Sequence, residues 1–574
     1  MSEPTGHTPP HQQNQPGQNG RPRQLSSIDA LANRYFADTL ALHPEEATAL
    51  GHPGHETEYS DYSPAGASAQ DELNRVLLED LDRLTPADDV DQVTAAALHE
   101  RVGLERRIHA TGRTELNNLA SPAQEIRNIL DLMPMETEQD WAQIAGRLAN
   151  LPDALAGYAE SLRASRDAGQ VAAQRQVDIV IEQAEAHSAA GGFFPGLVER
   201  ASAAGVVPSA LLTELEAQAS KAGTAYQELA DVLKEEVRDS APERDAVGRD
   251  LYELYSQEFL GAQIDLEETY AWGQEELARI IEAQQADAER IQPGATIDEA
   301  RAILDADPAR RLQGTAALRD WMQGVTDTAL QEMTRYFEIP APMDRVECMI
   351  APTQEGGVYY TGPSDDFSRP GRMWWSVPAG EDSFTTWQET TTVYHEGVPG
   401  HHLQIGTAML AQDELNDWRR NGLWTSGHGE GWALYAEKLM DEFGFLTDPG
   451  DHLGMLDAQR MRAARVVFDI GVHCGFEAPA SEGGGVWTPE QGFAFLTKHL
   501  NDSPGQIRFE FIRYLGWPGQ APSYKVGQRI WEQIRAEQAD RAAAQGREFD
   551  LKAFHTRALR LGSMGLDTLR KAMA

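Results

Sequence analysis

Residues 394–404 read YHEGVPGHHLQ, and the interpretation of the whole chain starts from this stretch. It holds three histidines, and Glu396 directly follows the first of them, His395. On a helix that binds zinc through two histidines, these stand four positions apart and flank a glutamate. Position four after His395 is Pro399, whose side chain cannot bind a metal. The stretch therefore has the residue types of a metal site but an unusual spacing.

An unbroken helix through this stretch would not bring two imidazoles together. His401 would lie about 240° around the helix from His395, and His402 would lie about 10 Å further along the axis. Zinc–nitrogen bonds of about 2.0–2.1 Å span neither arrangement. Pro399 removes a backbone hydrogen bond and bends the helix, and Gly400 lets the chain turn. The sequence thus predicts an outward bulge over residues 398–400; without it, these are chance histidines at a surface helix end.

The flanking segments supply the rest of a metal site. SFTTWQETTTVYHE reads as a helix with Ser383 as its N-cap, and GHGEGWALYAEKLMDEFG reads as a helix from about Glu430 to Gly444. Glu430 and Glu437 are seven positions apart and share a face, so one can bind metal while the other orients a histidine. A water would complete a three-ligand zinc site, with Glu396 as its general base.

The remaining chain is predicted to be mainly α-helical. Residues 28–340 show apolar residues three and four positions apart, whereas residues 346–377 contain short β-rich runs between glycines and prolines. Residues 1–27 are rich in Gln, Pro and Gly and are predicted to form a disordered tail. We therefore expect a helical region over 28–340 and a catalytic region over 341–574, packed together as one continuous body.

Composition excludes several classes of function. The chain of 574 residues has 49 basic and 90 acidic residues, a formal net charge of −41. Nucleic acids and anionic lipids are bound mainly through clustered Lys and Arg, so neither is an expected partner. No apolar run of about 18 residues and no signal-peptide core is found, and the two cysteines suit a reducing compartment. These features predict a cytoplasmic protein that has no membrane partner.

Four segments together resemble one protein family. YHEGVPGHHLQ, EGWALYAEKL, RAARVVFDIGVH and RYLGWPGQAPSYKVG are similar to the DUF885 family of bacterial proteins, and the resemblance extends from about Ile28 to the C-terminus. That family is grouped with the gluzincin-type zincin-like metallopeptidases. The resemblance implies a zincin-like helical metallopeptidase fold with a deep channel and, here, a small β-sheet beside the metal-site helix.

The resemblance also assigns the central residues. His395 and His401 look like zinc ligands, Glu430 like the third ligand and Glu396 like the catalytic base. His401 is preferred because it directly follows the Pro-Gly bend, and His402 remains the alternative.

Two residues near the C-terminus are candidates for stabilising the transition state. Peptide hydrolysis builds negative charge on the carbonyl oxygen, which a hydrogen-bond donor can stabilise. In similar helical gluzincins a His and a Tyr have this role, and His473 and Tyr524 are the candidates here.

Other residues are predicted to bind substrate. Arg513 or Lys525 would hold the terminal carboxylate of a peptide, because cations are the usual anchors for that group. Gln520 lies in the same loop, and Tyr360 would line a groove. The strand RMWWSVP (372–378) is expected at an exposed sheet edge, where an extended peptide can pair with it.

Three hypotheses of function follow. The first is a zinc-dependent peptidase that cleaves small or extended peptides. The second is a zinc amidase that acts on a non-peptide or modified amino-acid substrate. The third is a non-catalytic helical binding protein with a degenerate site.

Overall fold

The computed structural model describes residues 23–352, 357–364 and 366–574. They are mainly helical with small sheets, which confirms the predicted fold class at that level. Most of the predicted N-terminal tail lies outside the described residues. The described chain begins at Arg23, whose guanidinium already bonds the carboxylates of Asp29 and Asp88, each at 2.6 Å.

The first helices begin at residues that favour helix starts. The Ser26 side chain accepts hydrogen bonds from the backbone N–H groups of Ile28 and Asp29, and Pro44 and Pro64 each open a helix, where a missing N–H costs no hydrogen bond. In order, the helices of this part are α1 (Ser27–Leu42), α2 (Pro44–Ala49), α3 (Pro64–Leu81), α4 (Asp89–His109), α5 (Pro122–Leu132), α6 (Glu138–Asp167), α7 (Gln174–Ser188), α8 (Phe193–Ala203) and α9 (Ser209–Val232).

The later helices lie before and after residues 394–404 in the chain. Four of them lie before the strands: α10 (Arg249–Leu260), α11 (Leu266–Ile291), α12 (Ile297–Ala306) and α13 (Gly314–Met333). The helices that follow are α14 (Thr386–Glu396), α15 (His401–Leu410), α16 (Ser426–Glu442), α17 (Pro449–Cys474), α18 (Pro489–His499), α19 (Pro504–Gly516), α20 (Ser523–Ala544), α21 (Leu551–Arg560) and α22 (Leu566–Ala572).

The strands form two small sheets. They are β1 (Arg311–Gln313), β2 (Val346–Ile350), β3 (Val358–Thr361), β4 (Gly371–Trp375) and β5 (Ser383–Thr385). β1 pairs with β5, and β4 lies between β2, to which it is parallel, and β3, to which it is antiparallel.

Two local predictions were wrong here. The RMWWSVP strand is the centre of its sheet, because β2 and β3 occupy both of its edges, so it offers no edge to a peptide. Ser383 does not cap a helix: it pairs with Gln313 in β5, and α14 begins at Thr386. The partner of Ser383 is 70 positions away in the sequence, and the order of neighbouring strands within a sheet does not follow from their local patterns.

The buried apolar residues of the described chain form two large hydrophobic cores and two smaller clusters. The first core draws on residues from Ile28 to Met573 and so includes both sides of the predicted boundary at residue 340. The second core lies within residues 116–237 and is made by α5–α9.

Three glycines allow α16 and α20 to cross closely. A Cβ atom on Gly431 would lie 2.5 Å from the carbonyl carbon of Gly527, and one on Gly527 would lie 2.3 Å from the oxygen of Gly427. Beside this crossing, the hydroxyl oxygens of Ser426 and Ser523 are 2.8 Å apart. The first turn of α20 is thereby held against the first turn of α16.

Candidate metal centre

The helix break predicted around Pro399 is confirmed. α14 ends at Glu396, a cis peptide bond joins Val398 to Pro399, and α15 begins at His401. Glycine is required at position 400, because a Cβ there would lie 1.8 Å from the carbonyl oxygen of His395. The break turns His401 back toward His395, and their ring centroids are 5.0 Å apart.

Three side chains converge beside this break. Glu430 Oε2 lies 3.3 Å from His395 Nε2 and 3.7 Å from His401 Nε2, and one ligand atom from each residue lies within 4.8 Å of the others. In a tetrahedral zinc site with bonds of about 2.0–2.1 Å, ligand atoms are about 3.3 Å apart. The donor set and its spacing therefore fit a zinc ion.

Carboxylate and amide groups orient the two histidines. His395 Nδ1 donates a hydrogen bond to Glu437 at 2.7 Å, and the other oxygen of Glu437 accepts one from Thr391, also at 2.7 Å. His401 Nδ1 donates to Gln404 Oε1 at 3.3 Å. Both Nε2 atoms are thereby left facing Glu430, as metal-binding histidines require.

His402 does not share this geometry. Its Nε2 donates to the carbonyl oxygen of Met343 at 2.9 Å, and its Nδ1 accepts a hydrogen bond from the Tyr360 hydroxyl at 2.8 Å. Burial lowers the pKa of His402 to about 4, which matches this neutral form. Because both ring nitrogens are used, the geometry favours His401 as the ligand, and it places Tyr360 beside His402 and not on the cluster.

The surroundings of His395 and Glu430 favour a positive charge between these side chains, since the pKa of the histidine is raised and that of the glutamate is lowered. Burial lowers the pKa of His395, but hydrogen bonds to Glu430 and Glu437 outweigh this and raise it to about 10. Burial raises the pKa of Glu430, but its hydrogen bonds with both histidines bring it well below its usual value. These carboxylates stabilise a proton, and a divalent cation would satisfy them in the same way.

Glu396 lies beside the cluster and is almost fully buried. Burial raises its pKa, against the opposing effects of His401 and His395. A raised carboxyl pKa suits a general base that must accept a proton near neutral pH.

Tyr524 lies near the cluster, but His473 does not. Burial raises the pKa of Tyr524, and the charge of Glu430 raises it further. Within the described ranges the Tyr524 hydroxyl has no hydrogen bond, so it is free to donate to a ligand. His473 Nε2 instead donates to the Tyr514 carbonyl at 2.9 Å, and its Nδ1 accepts from Val247 N–H at 3.4 Å. With both ring nitrogens used in the core, His473 has no donor left for an oxyanion.

The cations predicted to bind substrate are used elsewhere. Lys525 is buried, with its ammonium 3.0 Å from Glu276. Arg513 donates to Gln520 at 2.6 Å and to Glu510 at 3.3 Å. The partner of Lys525 is on α11, whereas those of Arg513 are in its own helix and in the following loop, and both cations are satisfied inside the protein.

A cleft of about 750 Å³ leads to the cluster. Its lining includes Glu430 and Gln520 together with residues of α1 and α4 such as Phe36 and Glu105. Trp424, 52 % exposed, also lines the cleft, and its ring centroid is 6.2 Å from that of His401. The lining of the cleft thus combines a candidate metal-binding carboxylate with an exposed aromatic ring.

Sequence reasoning missed two contributors, Gln404 and Trp424. Gln404 follows His401 by three positions, a spacing at which helical side chains meet. Trp424 carries no comparable signal, because its place beside His401 depends on how the loop before α16 folds.

Two solved structures share this fold. One, from Colwellia psychrerythraea and described as a candidate lipoprotein, has a TM-score of 0.80 at 21% identity and covers 95% of this chain and 98% of its own. The other, from Shewanella oneidensis and described as a candidate lipoprotein of unknown function, has a TM-score of 0.72 at 16% identity and covers 96% and 100%.

Among curated proteins, none matches the chain. In the described part of the chain, no helix is long and apolar enough to cross a bilayer. The family model for bacterial proteins of unknown function, DUF885, matches residues 44–573. The chain therefore belongs to the DUF885 family.

Proposed function

We propose that this protein is a zinc-dependent hydrolase with a zincin-like fold, a metallopeptidase that cleaves small or extended peptides. The observation that carries the proposal is the convergence of His395, His401 and Glu430 at ligand spacing beside a buried glutamate. Zinc in such a site lowers the pKa of water and polarises a carbonyl group. The cleft gives an extended substrate access to these residues.

The residues around the cluster have distinct roles in this proposal. Glu396 accepts a proton from the attacking water and delivers it to the leaving nitrogen, which balances the hydrolysis of an amide bond. The free hydroxyl of Tyr524 donates a hydrogen bond to the carbonyl oxygen as negative charge develops there. Glu437 and Gln404 hold the two imidazoles in place.

The second hypothesis, an amidase for non-peptide or modified amino-acid substrates, uses the same residues. In the third, a non-catalytic binding protein, the cleft would bind a ligand that the protein does not hydrolyse. The exposed ring of Trp424 beside His401 fits either a substrate or a bound ligand.

Metal analysis and one variant separate these functions. Purified wild-type protein is expected to bind one zinc and to hydrolyse peptides in a mixture analysed by mass spectrometry. Glu396→Gln should keep the zinc and lose about 10²–10⁴-fold in turnover, whereas Glu253→Gln, at an exposed position of α10, should change neither. Absence of bound zinc after supplementation, or normal turnover by Glu396→Gln, would overturn the proposal. Cleavage of small amides but of no peptide would favour the amidase.

A cytoplasmic location belongs to the same proposal. Cys348 and Cys474 are both unpaired, which suits a reducing compartment. Cell fractionation tests this, and recovery with the cell envelope would contradict it.

A further inference from the structure

Arg462 is a cation without a carboxylate partner in a strongly acidic protein. It lies on α17, and its one described hydrogen bond runs from Nη1 to the carbonyl oxygen of Ala458 in the same helix, at 3.2 Å. Its Nε is buried and has no acceptor. Among the described residues, no carboxylate oxygen lies within 4.0 Å of its nitrogens. With 90 acidic residues against 49 basic ones in the chain, this lack of a partner is informative.

Helix packing places Arg462 beside the candidate metal centre. α17 packs closely on α14, where a Cβ on Gly454 would lie 2.1 Å from the carbonyl oxygen of Trp387. Arg462 lies about two turns further along α17 than Gly454 and about 80° around the helix axis from it. Three residues later, the Arg465 guanidinium lies 5.1 Å from the ring centroid of Tyr524.

The electrostatic effects of Arg462 agree with this position. Burial raises the pKa values of Glu396 and Tyr524, and the charge of Arg462 is among those that oppose the rise in each. Burial also raises the pKa of Glu437, which hydrogen bonding to His395 and the charge of Arg462 bring below its usual value. These effects agree with the helix packing, which brings the segment of α17 with Arg462 toward the end of α14 and toward Tyr524.

We propose that Arg462 binds a carboxylate of the substrate, and that the substrates are peptides or N-acyl amino acids with a free carboxylate next to the bond that is cleaved. This inference rests on the proposed function. A guanidinium binds a carboxylate through two parallel hydrogen bonds, and a buried N–H without an acceptor costs free energy that such a ligand would recover. Arg513 and Lys525 cannot serve as this anchor, because both have partners inside the protein.

The position of Glu396 decides which side of the substrate carries this carboxylate. Glu396 must reach the nitrogen of the leaving group to deliver a proton to it. Because α17, which carries Arg462, packs on α14, which ends at Glu396, the proposal assigns a group bound by Arg462 to the leaving-group side. The enzyme would then release an amino acid or short peptide from the C-terminal end of its substrate.

Paired substrates test this inference. An N-acylated dipeptide and its C-terminal carboxamide differ only in the charge next to the cleaved bond. Wild-type protein should prefer the acid by about 10-fold or more in kcat/KM, through a lower KM. Arg462→Gln should lose this preference, whereas Arg319→Gln, at an exposed arginine paired with its neighbour Asp320, should keep it.

Two results of the kinetic test would overturn the inference. One is the absence of an acid preference in wild-type protein. The other is an equal fall in kcat for both substrates in Arg462→Gln, since that would mean that Arg462 acts on the oxyanion or on the charge of Glu396. Zinc content should stay the same in Arg462→Gln, which excludes a loss of the site itself.

A binding measurement separates this inference from the proposed function. In Glu396→Gln protein loaded with zinc, calorimetry should show tighter binding of the acid than of the carboxamide, and the added Arg462→Gln change should abolish the difference. Equal affinities, or no measurable binding of either compound, would overturn the inference. This outcome does not depend on whether the protein hydrolyses the compounds. Preferential binding without hydrolysis by wild-type protein would instead overturn the proposed function alone.

Discussion

Glu437 accepts a hydrogen bond from Nδ1 of His395 at 2.7 Å, two helical turns after Glu430 in the same helix. One face of α16 thus presents the Glu430 carboxylate to Nε2 of His395, here called the front of the ring, and the Glu437 carboxylate to Nδ1, its back. The front carboxylate is a candidate metal ligand, and the back one fixes the orientation and protonation of the ring.

Glu437→Gln should weaken zinc binding about 10–100-fold, because a neutral amide neither fixes the imidazole as firmly nor raises its basicity. A competition titration with a chromophoric chelator measures this. Glu442→Gln, near the end of the same helix and exposed, is the matched control and should bind zinc normally. Unchanged affinity in Glu437→Gln would show that the contact does not support the metal.

Gly400→Ala should destabilise the protein by about 1–3 kcal/mol, because the new methyl group would meet the carbonyl oxygen of His395 and force the break to shift. Its zinc affinity should fall as well. Denaturant unfolding of both proteins gives the free energy of unfolding. Gly324→Ala in α13 has open space around its Cβ and should instead be neutral or stabilising. Similar effects of both substitutions would contradict the steric argument.

Tyr524→Phe should lower kcat by about 10²-fold and leave KM nearly unchanged, since its hydroxyl is expected to act on the developing oxyanion and not on the bound substrate. Steady-state kinetics with the substrate found by mass spectrometry measure both constants. Tyr359→Phe, a half-exposed tyrosine in β3, serves as control. A rise in KM alone in Tyr524→Phe would assign the hydroxyl to substrate binding.

His473 should make stability depend on pH. Burial lowers its pKa to about 4, whereas an unfolded histidine titrates near 6.5, so the unfolded state binds more protons between these values. Its contribution is therefore complete above about pH 6.5 and is lost as the pH falls toward 4, by up to about 3 kcal/mol. Urea unfolding between pH 7 and pH 5 measures this loss.

His473→Gln keeps a donor for the Tyr514 carbonyl but has no titrating ring. It should therefore show a smaller fall in stability between pH 7 and pH 5 than wild-type protein. His109→Gln, at an exposed position, should follow wild type. An equal fall in all three proteins would exclude His473 as the source.

The sequence was most informative where the chemistry is local. Pro399 and Gly400 predict the helix break, and the seven-residue spacing of Glu430 and Glu437 predicts two carboxylates on one helix face. These features depend on residues within one or two turns, so spacing is enough to predict them.

The sequence was least informative where a partner lies on another helix. The contacts of His473 with Tyr514 and of Lys525 with Glu276 join residues tens to hundreds of positions apart. Side chains suited to catalysis are equally suited to such internal bonds, and residue type alone does not distinguish the two. Arg462 shows the opposite case, since only the structure reveals that it has no carboxylate partner among residues 23–352, 357–364 and 366–574.

The cleft is lined by parts of the chain that are far apart in sequence, among them α1, α4 and the segment with Glu430. Under the proposed function, substrate recognition and bond cleavage are therefore encoded in separate stretches of the gene. Substitutions in the first hundred or so residues can change which molecules enter without touching the reacting groups. Relatives that share the His-Glu segment can therefore differ in substrate specificity while they keep the same proposed hydrolytic reaction.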